Sequence, residues 1–320
     1  MRIDHDHGHN HDHDHNHDRD HNHDVGATRQ LKFAIFLLSL TLVAEVVGGF
    51  LTHSLALLAD AGHVFMDLFA LGLSLGMALL ARRPATSTRT YGWHRAEILA
   101  ALVNGVLLLV LSLALFHEAW ERMHTYGEIL STPMLVVAGV GLAVNIVIAL
   151  RLHGHHGEDL NLRSAYLHVL GDAGASAGVV AAAIVISLTG WNMIDPLISA
   201  GIGALILIGS VRLIFHAGHI LLEAVPTRLS LSLVANAIGN VKGINGVHDL
   251  HIWTVCSHIV SLSCHINIEA KTPQFHDRVV QSVADMLWQR FSIIHPTIQV
   301  DYENCSNEVV SQDMEHPAPD

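Results

Sequence analysis

Charge is scarce along this chain, and what there is of it is unevenly placed. Only 14% of the 320 residues are Asp, Glu, Lys or Arg, against 51% apolar, and mean hydropathy is +0.40. A soluble enzyme of this length rarely has so little charge, and the balance fits a membrane protein. No basic stripe or cluster is present, which excludes a nucleic-acid footprint. Cysteine is nearly absent as well. Cys256, Cys264 and Cys305 are an odd set at no disulfide-framework spacing, so reduced thiols on a cytoplasmic side are expected. The start of the chain is polar, and no cleavable signal peptide is expected there. Neither a phosphate-cradling Walker loop nor HExxH occurs, which argues against ATP hydrolysis and zinc-peptidase chemistry.

What is present begins with histidine. Residues 4–24 read DHDHGHNHDHDHNHDRDHNHD, and seven of the chain's acids fall in its first 24 positions. Expression tags are usually uninterrupted His runs, and this alternation with Asp and Asn is not one. A segment with nothing to bury is expected to be disordered, here over 1–28.

Six apolar stretches follow, at about 32–52, 57–81, 97–119, 132–151, 165–189 and 194–222. Each reaches the ~20 residues that cross a hydrocarbon core, giving a six-span transmembrane domain over 29–222. Arginine and lysine set its orientation. Arg29 and Lys32 precede the first stretch; Arg82, Arg83, Arg89 and Arg95 lie between the second and third; Arg151 and Arg163 lie between the fourth and fifth. The opposite links hold only Arg122, so both termini are expected in the cytoplasm. Tyr91 and Trp93 then belong at the inner interface, and Trp120, Tyr126 and Trp191 at the outer one.

From 223 the composition changes. A helical stretch (230–240), two alternating runs (247–255 and 259–269), a helical period (274–291) and a short strand (297–302) predict a cytoplasmic α+β domain. The αββαβ order over 223–306 is ferredoxin-like, and the tail 307–320 is expected to be unstructured.

Ionisable groups in lipid cost about 2.5–3.5 kcal/mol each on insertion scales, which makes them functional suspects. The second span carries His63 and Asp67, the fifth His168 and Asp172. Each is a His-x3-Asp pair, with imidazole and carboxylate on one helix face. Facing helices would offer two nitrogens and two oxygens, a donor set suited to tetrahedral Zn2+, with two carboxylates to neutralise it. The alternative is that each His bonds its own Asp as packing glue. Repetition of the pair about 105 residues apart favours a metal site. Small residues flank both pairs (Ala59, Ala61, Gly62; Gly171, Ala173, Gly174), as close helix packing requires. Asp60 is either a site at the metal's entrance or a helix cap. Glu45 is expected to reach the outer interface, and Asn104 and Asn145 to bond between helices.

These residues carry a family resemblance. SLALLADAGHVFMD (54–67), RTYGWHRAEILAALVNG (89–105), NLRSAYLHVLGDAGAS (161–176) and the run 195–226 resemble the cation diffusion facilitator family. HDLHIWTV (248–255) and HPTIQVDYE (295–303) resemble its cytoplasmic domain, so the likeness covers about 30–305. It implies a homodimer of six-helix subunits in the zinc/cobalt/cadmium branch, exchanging metal for protons at His63, Asp67, His168 and Asp172. Relatives of manganese and iron type tend to replace the His residues, so zinc is the expected cargo, with cadmium and cobalt as neighbours. The resemblance also implies a cytoplasmic metal site at His248, Asp249, His265 and His276, with His295, Asp301 and Cys305 as further candidates. One familiar pattern has His-x-Asp where Gln299, Val300 and Asp301 stand here. The His-rich tail and His153, His155 and His156 would concentrate metal at the cytoplasmic entrance. A bacterial inner membrane is the expected location. A membrane metal sensor or store without transport is the competing function; an intramembrane hydrolase would need an open coordination position that four protein ligands deny.

Overall fold

Residues 17–125, 128–153, 160–256, 259–268, 272–301 and 309 are described by a computed structural model. Six long helices come first: α1 (His17–Thr52), α2 (Leu55–Ala81), α3 (Ala96–His124), α4 (Ser131–His153), α5 (Leu160–Thr189) and α6 (Ile194–Leu221). Each contains a stretch long and apolar enough to cross a membrane, from Phe33–Thr52 to Ile194–Leu221. Helix suits this setting because every interior backbone group finds its partner within the segment, where lipid offers none. The apolar side chains that stay uncovered fit the same setting: Phe36, Phe50, Leu150, Leu188 and Phe215 are all exposed.

The chain divides into two compact units. One is built from residues up to Leu68 and from Leu113–Ala204. Within it α1 packs on α4 and α4 on α5, with Ile148, Ala149 and Val169 buried between partly covered Leu37, Leu38 and Val144. The turn from α1 to α2 is tight. Ser54 N–H donates to the Gly49 carbonyl at 3.1 Å, and a β-carbon on Gly49 would sit 2.7 Å from the Leu58 side chain. Helix α5 stops where Gly190 takes a left-handed φ of 70°, a conformation that glycine adopts without a steric penalty.

The other unit comprises Phe69–Ser112 and Leu205 onward. Its C-terminal part holds α7 (Leu231–Gly239), β1 (Ile244–Cys256), β2 (Ile259–Ile268), α8 (Pro273–Phe291) and β3 (His295–Asp301), the αββαβ order expected of a ferredoxin-like domain. The sheet runs β1-β2-β3, antiparallel then parallel, with α8 as the crossover that a parallel pair needs. Alternation decides its faces. Val260, Leu262, Cys264 and Ile266 of β2 are buried with Val234 and Ile238 of α7 and Val279, Val283 and Leu287 of α8. His265, between them, therefore belongs to the opposite face. In the same unit Arg95 donates to Glu223 at 2.6 Å.

Both ends depart from expectation. Helix α1 extends back to His17, into the stretch 1–28 expected to be disordered. Once the apolar span is helical, each further residue adds a hydrogen bond without a new nucleus. At the other end, within 307–320, the carbonyl of Val309 accepts from Leu250 N–H at 2.9 Å and its side chain packs on the domain core. Strand β1 is a sheet edge, and an unpaired edge group invites such a partner. Residues 1–16, Tyr126, the loop histidines His155 and His156, and Cys305 lie outside the described residues.

Candidate metal centres

Helices α2 and α5 each present a histidine and, one turn later, an aspartate. The structure brings all four side chains together within the first unit. His63 Nε2 lies 3.2 Å from Asp172 Oδ1 and 3.7 Å from Asp67 Oδ2. His168 Nε2 lies 3.3 Å from Asp67 Oδ2 and 3.9 Å from Asp172 Oδ2. The closest approach of each imidazole is to the aspartate of the other helix, so the pairs are not merely self-bonded glue. The rings of His63 and His168 stand 6.1 Å apart, edge to face. One ligand atom each from His63, Asp67 and Asp172 lies within 4.8 Å of the others, the size of a single-ion shell. Asp172 is buried, His63 and Asp67 are about three-quarters covered, and His168 is half exposed, which leaves the ring of His168 as the accessible side.

Beside this centre stands a buried polar group. Asp60, one turn before His63, accepts from Ser176 Oγ at 2.8 Å, and Ser176 in turn accepts from Asn145 Nδ2 at 3.1 Å. Asn145 thus bonds between helices as expected. Asp60 does not cap α2, whose N-terminus is capped otherwise. Glu45, expected at the outer interface, is instead buried within the helices, 1% exposed. A glycine decides its position. Glu45 Oε1 lies 2.5 Å from where a β-carbon on Gly141 would sit, so the carboxylate rests against α4 at this glycine.

Sequence reasoning missed the cap. The fully buried Asp195 accepts from Leu55 N–H at 2.7 Å, from Ala56 N–H at 3.2 Å and from Ser54 Oγ. An N-cap is normally looked for next to its helix. This carboxylate comes from 140 residues away.

The C-terminal domain holds the second cluster. His248 and His265 are paired across β1 and β2, and Asp301 ends β3. Asp301 Oδ2 lies 3.2 Å from His248 Nε2 and 3.1 Å from His265 Nδ1. The Gln299 amide, ahead of the His265 and His248 imidazoles, holds the Asp301 carboxyl below its ordinary range. Neighbours on a regular strand point to opposite faces, yet Asp249 also comes within 3.6 Å of His265 Nε2. A bulge between His248 and His251 is the cause, with Asp249 at a left-handed φ of 48° that Asp tolerates. His276, on α8, meets Asp277 instead at 3.2 Å, and the exposed His295 begins β3, opposite Ser261. Neither joins the cluster among the described residues.

Cys264 faces the domain core, and burial pushes its thiol up to about 12. It stays protonated at neutral pH and offers no thiolate to a metal. In folded protein, peptide mapping after iodoacetamide treatment is expected to find Cys264 unmodified, with labelling only after denaturation. Labelling of Cys264 at the same rate in both states would contradict that burial.

The model of the cation efflux transmembrane domain matches residues 31–222, and that of the cation efflux protein's cytoplasmic domain matches 226–303. The chain belongs to the cation efflux family. Metal cation efflux system protein CzcD of Cupriavidus metallidurans is 38% identical over 288 residues, 90% of this chain and 90% of that protein. The cadmium, cobalt and zinc/H(+)-K(+) antiporter of Bacillus subtilis is 36% identical over 293 residues, covering 90% and 94% of the two chains. Zinc transporter ZitB of Escherichia coli is 36% identical over 296 residues, again 90% and 94%. Membership makes the chain a multi-pass transporter of metal cations rather than an enzyme, and its C-terminal domain is of the dimerising kind found in this family.

Proposed function

We propose that the chain exports zinc from the cytosol in exchange for protons, binding one ion between His63, Asp67, His168 and Asp172. The observation that carries this reading is the crossed arrangement of the four side chains, each imidazole nearer the other helix's carboxylate. Two nitrogens and two carboxylates match the tetrahedral preference and the charge of Zn2+. Cadmium and cobalt, named beside zinc for the Bacillus subtilis relative, are the alternative cargo. Imidazole must be neutral to ligate, so metal and protons compete for the same atoms, and arrival of one releases the other. Rocking of helix pairs about the fixed site alternates access between the two sides.

Domain roles complete the proposal. Residues 29–222 carry the ion through a bacterial inner membrane, 223–306 dimerise in the cytoplasm, and both termini lie on the cytoplasmic side, in line with the arginine distribution. His248, Asp249, His265 and Asp301 hold a regulatory zinc, while His276 stands apart from them. The test of the whole is flux. Purified protein in liposomes is expected to move zinc faster than empty liposomes do, and faster with an opposing pH gradient. Zinc binding without flux would make the molecule a sensor or store instead.

The His-rich segment raises local zinc concentration without carrying the ion across. Deletion of residues 2–24 is expected to raise the zinc concentration for half-maximal flux while leaving the saturated rate unchanged, as initial rates over a zinc series would read. Loss of the saturated rate would assign the segment a direct part in transport.

A further inference from the structure

The buried polar group beside the metal centre has more acceptors than donors. Glu45, Asp60, Asn145 and Ser176 are each no more than 2% exposed. They come from α1, α2, α4 and α5, and contacts from Asp60 to Ser176, Asn145 to Ser176 and Glu45 to Gly141 bring the four helices together there. The single hydroxyl proton of Ser176 goes to Asp60 Oδ2, and Asn145 Nδ2 donates to Ser176. That leaves Glu45 Oε2, Asp60 Oδ1 and Asn145 Oδ1 buried with no hydrogen-bond partner. Glu45 Oε1 lies against Gly141, one turn before Asn145 on the same face of α4, which sets it beside the Asn145–Ser176–Asp60 chain. Buried acceptors of this kind cost about 1–3 kcal/mol each when unmet, and two nearby carboxylates in a membrane cost more. A positive partner removes both costs at once.

We propose that Glu45, Asp60 and Asn145 form a second, all-oxygen site for a monovalent cation, a proton or an alkali ion, which is exchanged against the metal. The donor set excludes zinc as its natural occupant, because it holds neither imidazole nor thiolate. Its place suits a counter-ion. Asp60 precedes His63 by three residues on α2, and Ser176 follows Asp172 by four on α5, so the site and the metal centre share both helices. The titratable groups facing Asp60 are Glu45 from α1, His63 and Asp67 from its own helix and Asp172 from α5. From α4, among the described residues, Gly141 and Asn145 lie against the group, and neither titrates. A dication at His63 and Asp67 therefore repels a cation held at Asp60, and the departure of one favours the arrival of the other. Gly141 supplies the room, since any larger residue displaces Glu45 Oε1.

This inference rests on the antiport reading, and the experiment separates the two. Full-length wild type, Glu45→Gln and Gly141→Ala are reconstituted in liposomes, and zinc flux is driven in one arm by a pH gradient in choline buffer. A potassium gradient at fixed pH drives the other arm, and zinc affinity is measured by calorimetry. Both variants are expected to lose gradient-driven flux by about tenfold or more while zinc affinity stays within about threefold of wild type. Loss confined to the pH arm assigns the site to a proton, and loss confined to the potassium arm to an alkali ion. Full gradient-driven flux in both variants overturns the proposal, and so does loss of zinc affinity, which would make these oxygens supports of the metal centre. Gly141→Ala keeps every ligand and improves helix propensity, so it decides the matter if Glu45→Gln fails to fold. Failure of the four-ligand reading shows elsewhere, as undiminished zinc affinity in Asp172→Ala.

Discussion

Replacement of Asp172 by alanine is expected to abolish zinc transport. Asp172 is the most buried of the four proposed ligands and the closest partner of His63, at 3.2 Å. Its removal subtracts one oxygen from the shell and one negative charge from a site that must hold a dication in a medium of low dielectric. With both carboxylates present the loaded centre is neutral; with only Asp67 it keeps a net positive charge among apolar helices. Breaking a buried ion pair in this one-sided way costs about 3–5 kcal/mol, which corresponds to roughly two to three and a half orders of magnitude in affinity. Asp172→Asn keeps the shape and an oxygen donor but not the charge, and so separates the two contributions. If charge dominates, Asn and Ala lose zinc binding alike. Calorimetry on purified protein and initial flux rates in liposomes measure both quantities. Zinc flux by Asp172→Ala at the wild-type rate would show that the four-ligand centre is not the transport site.

The six spans were legible because lipid leaves so few options. A run of twenty apolar residues in a chain this poor in charge has to be a membrane helix or a deeply buried one, and six in a row decide between these. The paired His-x3-Asp motifs were legible for a related reason: an ionisable residue in such a run needs an explanation, and the same pair twice suggests a single one. That each histidine leans toward the opposite helix's aspartate was not legible, because spacing fixes a helix face and not the partner across from it. Glu45 shows the limit clearly. Its position near the end of a span suggested the interface, but Gly141, nearly a hundred residues away, opens the space that lets the carboxylate turn inward.

In the C-terminal domain the alternating runs located two strands, and period-2 logic correctly separates His265 from the core. The same logic fails for Asp249. Strict alternation sends it to the face opposite His248, and only the bulge, with Asp249 in the left-handed region, brings both toward His265. A bulge leaves no mark in the sequence beyond a residue that tolerates positive φ. Asp301 was one candidate among several and His276 a leading one, yet the register of a parallel strand pair places Asp301 beside the two histidines. Register depends on the whole crossover through α8, which short motifs do not contain.

Asp195 illustrates a third kind of information, the contact across most of the membrane domain's length, and it sets the second large effect. Helix α2 carries half of the proposed metal ligands, and its first turn, like any helix start, leaves backbone N–H groups without partners. Here they are away from water, and the carboxylate of Asp195 takes those of Leu55 and Ala56 along with the Ser54 hydroxyl. The negative charge also lies at the positive ends of two helices, the start of α2 and the first turn of α6. Asp195→Ala orphans three donors at once. At about 1–3 kcal/mol per buried unmet group, partly relieved by water or relaxation, a loss of roughly 2–4 kcal/mol is expected. That corresponds to a fall in Tm of about 5–15 °C for a domain of this size. Asp195→Asn retains an acceptor oxygen and should recover more than half of the loss. Because the cap lies two turns before His63, the residual folded fraction should still bind zinc with near wild-type affinity, so stability falls while affinity per folded molecule does not. Thermal unfolding in detergent followed by zinc titration below the transition reads both. A fully stable Asp195→Ala variant would mean that the start of α2 finds its partners without Asp195, and the long-range cap would have no energetic role.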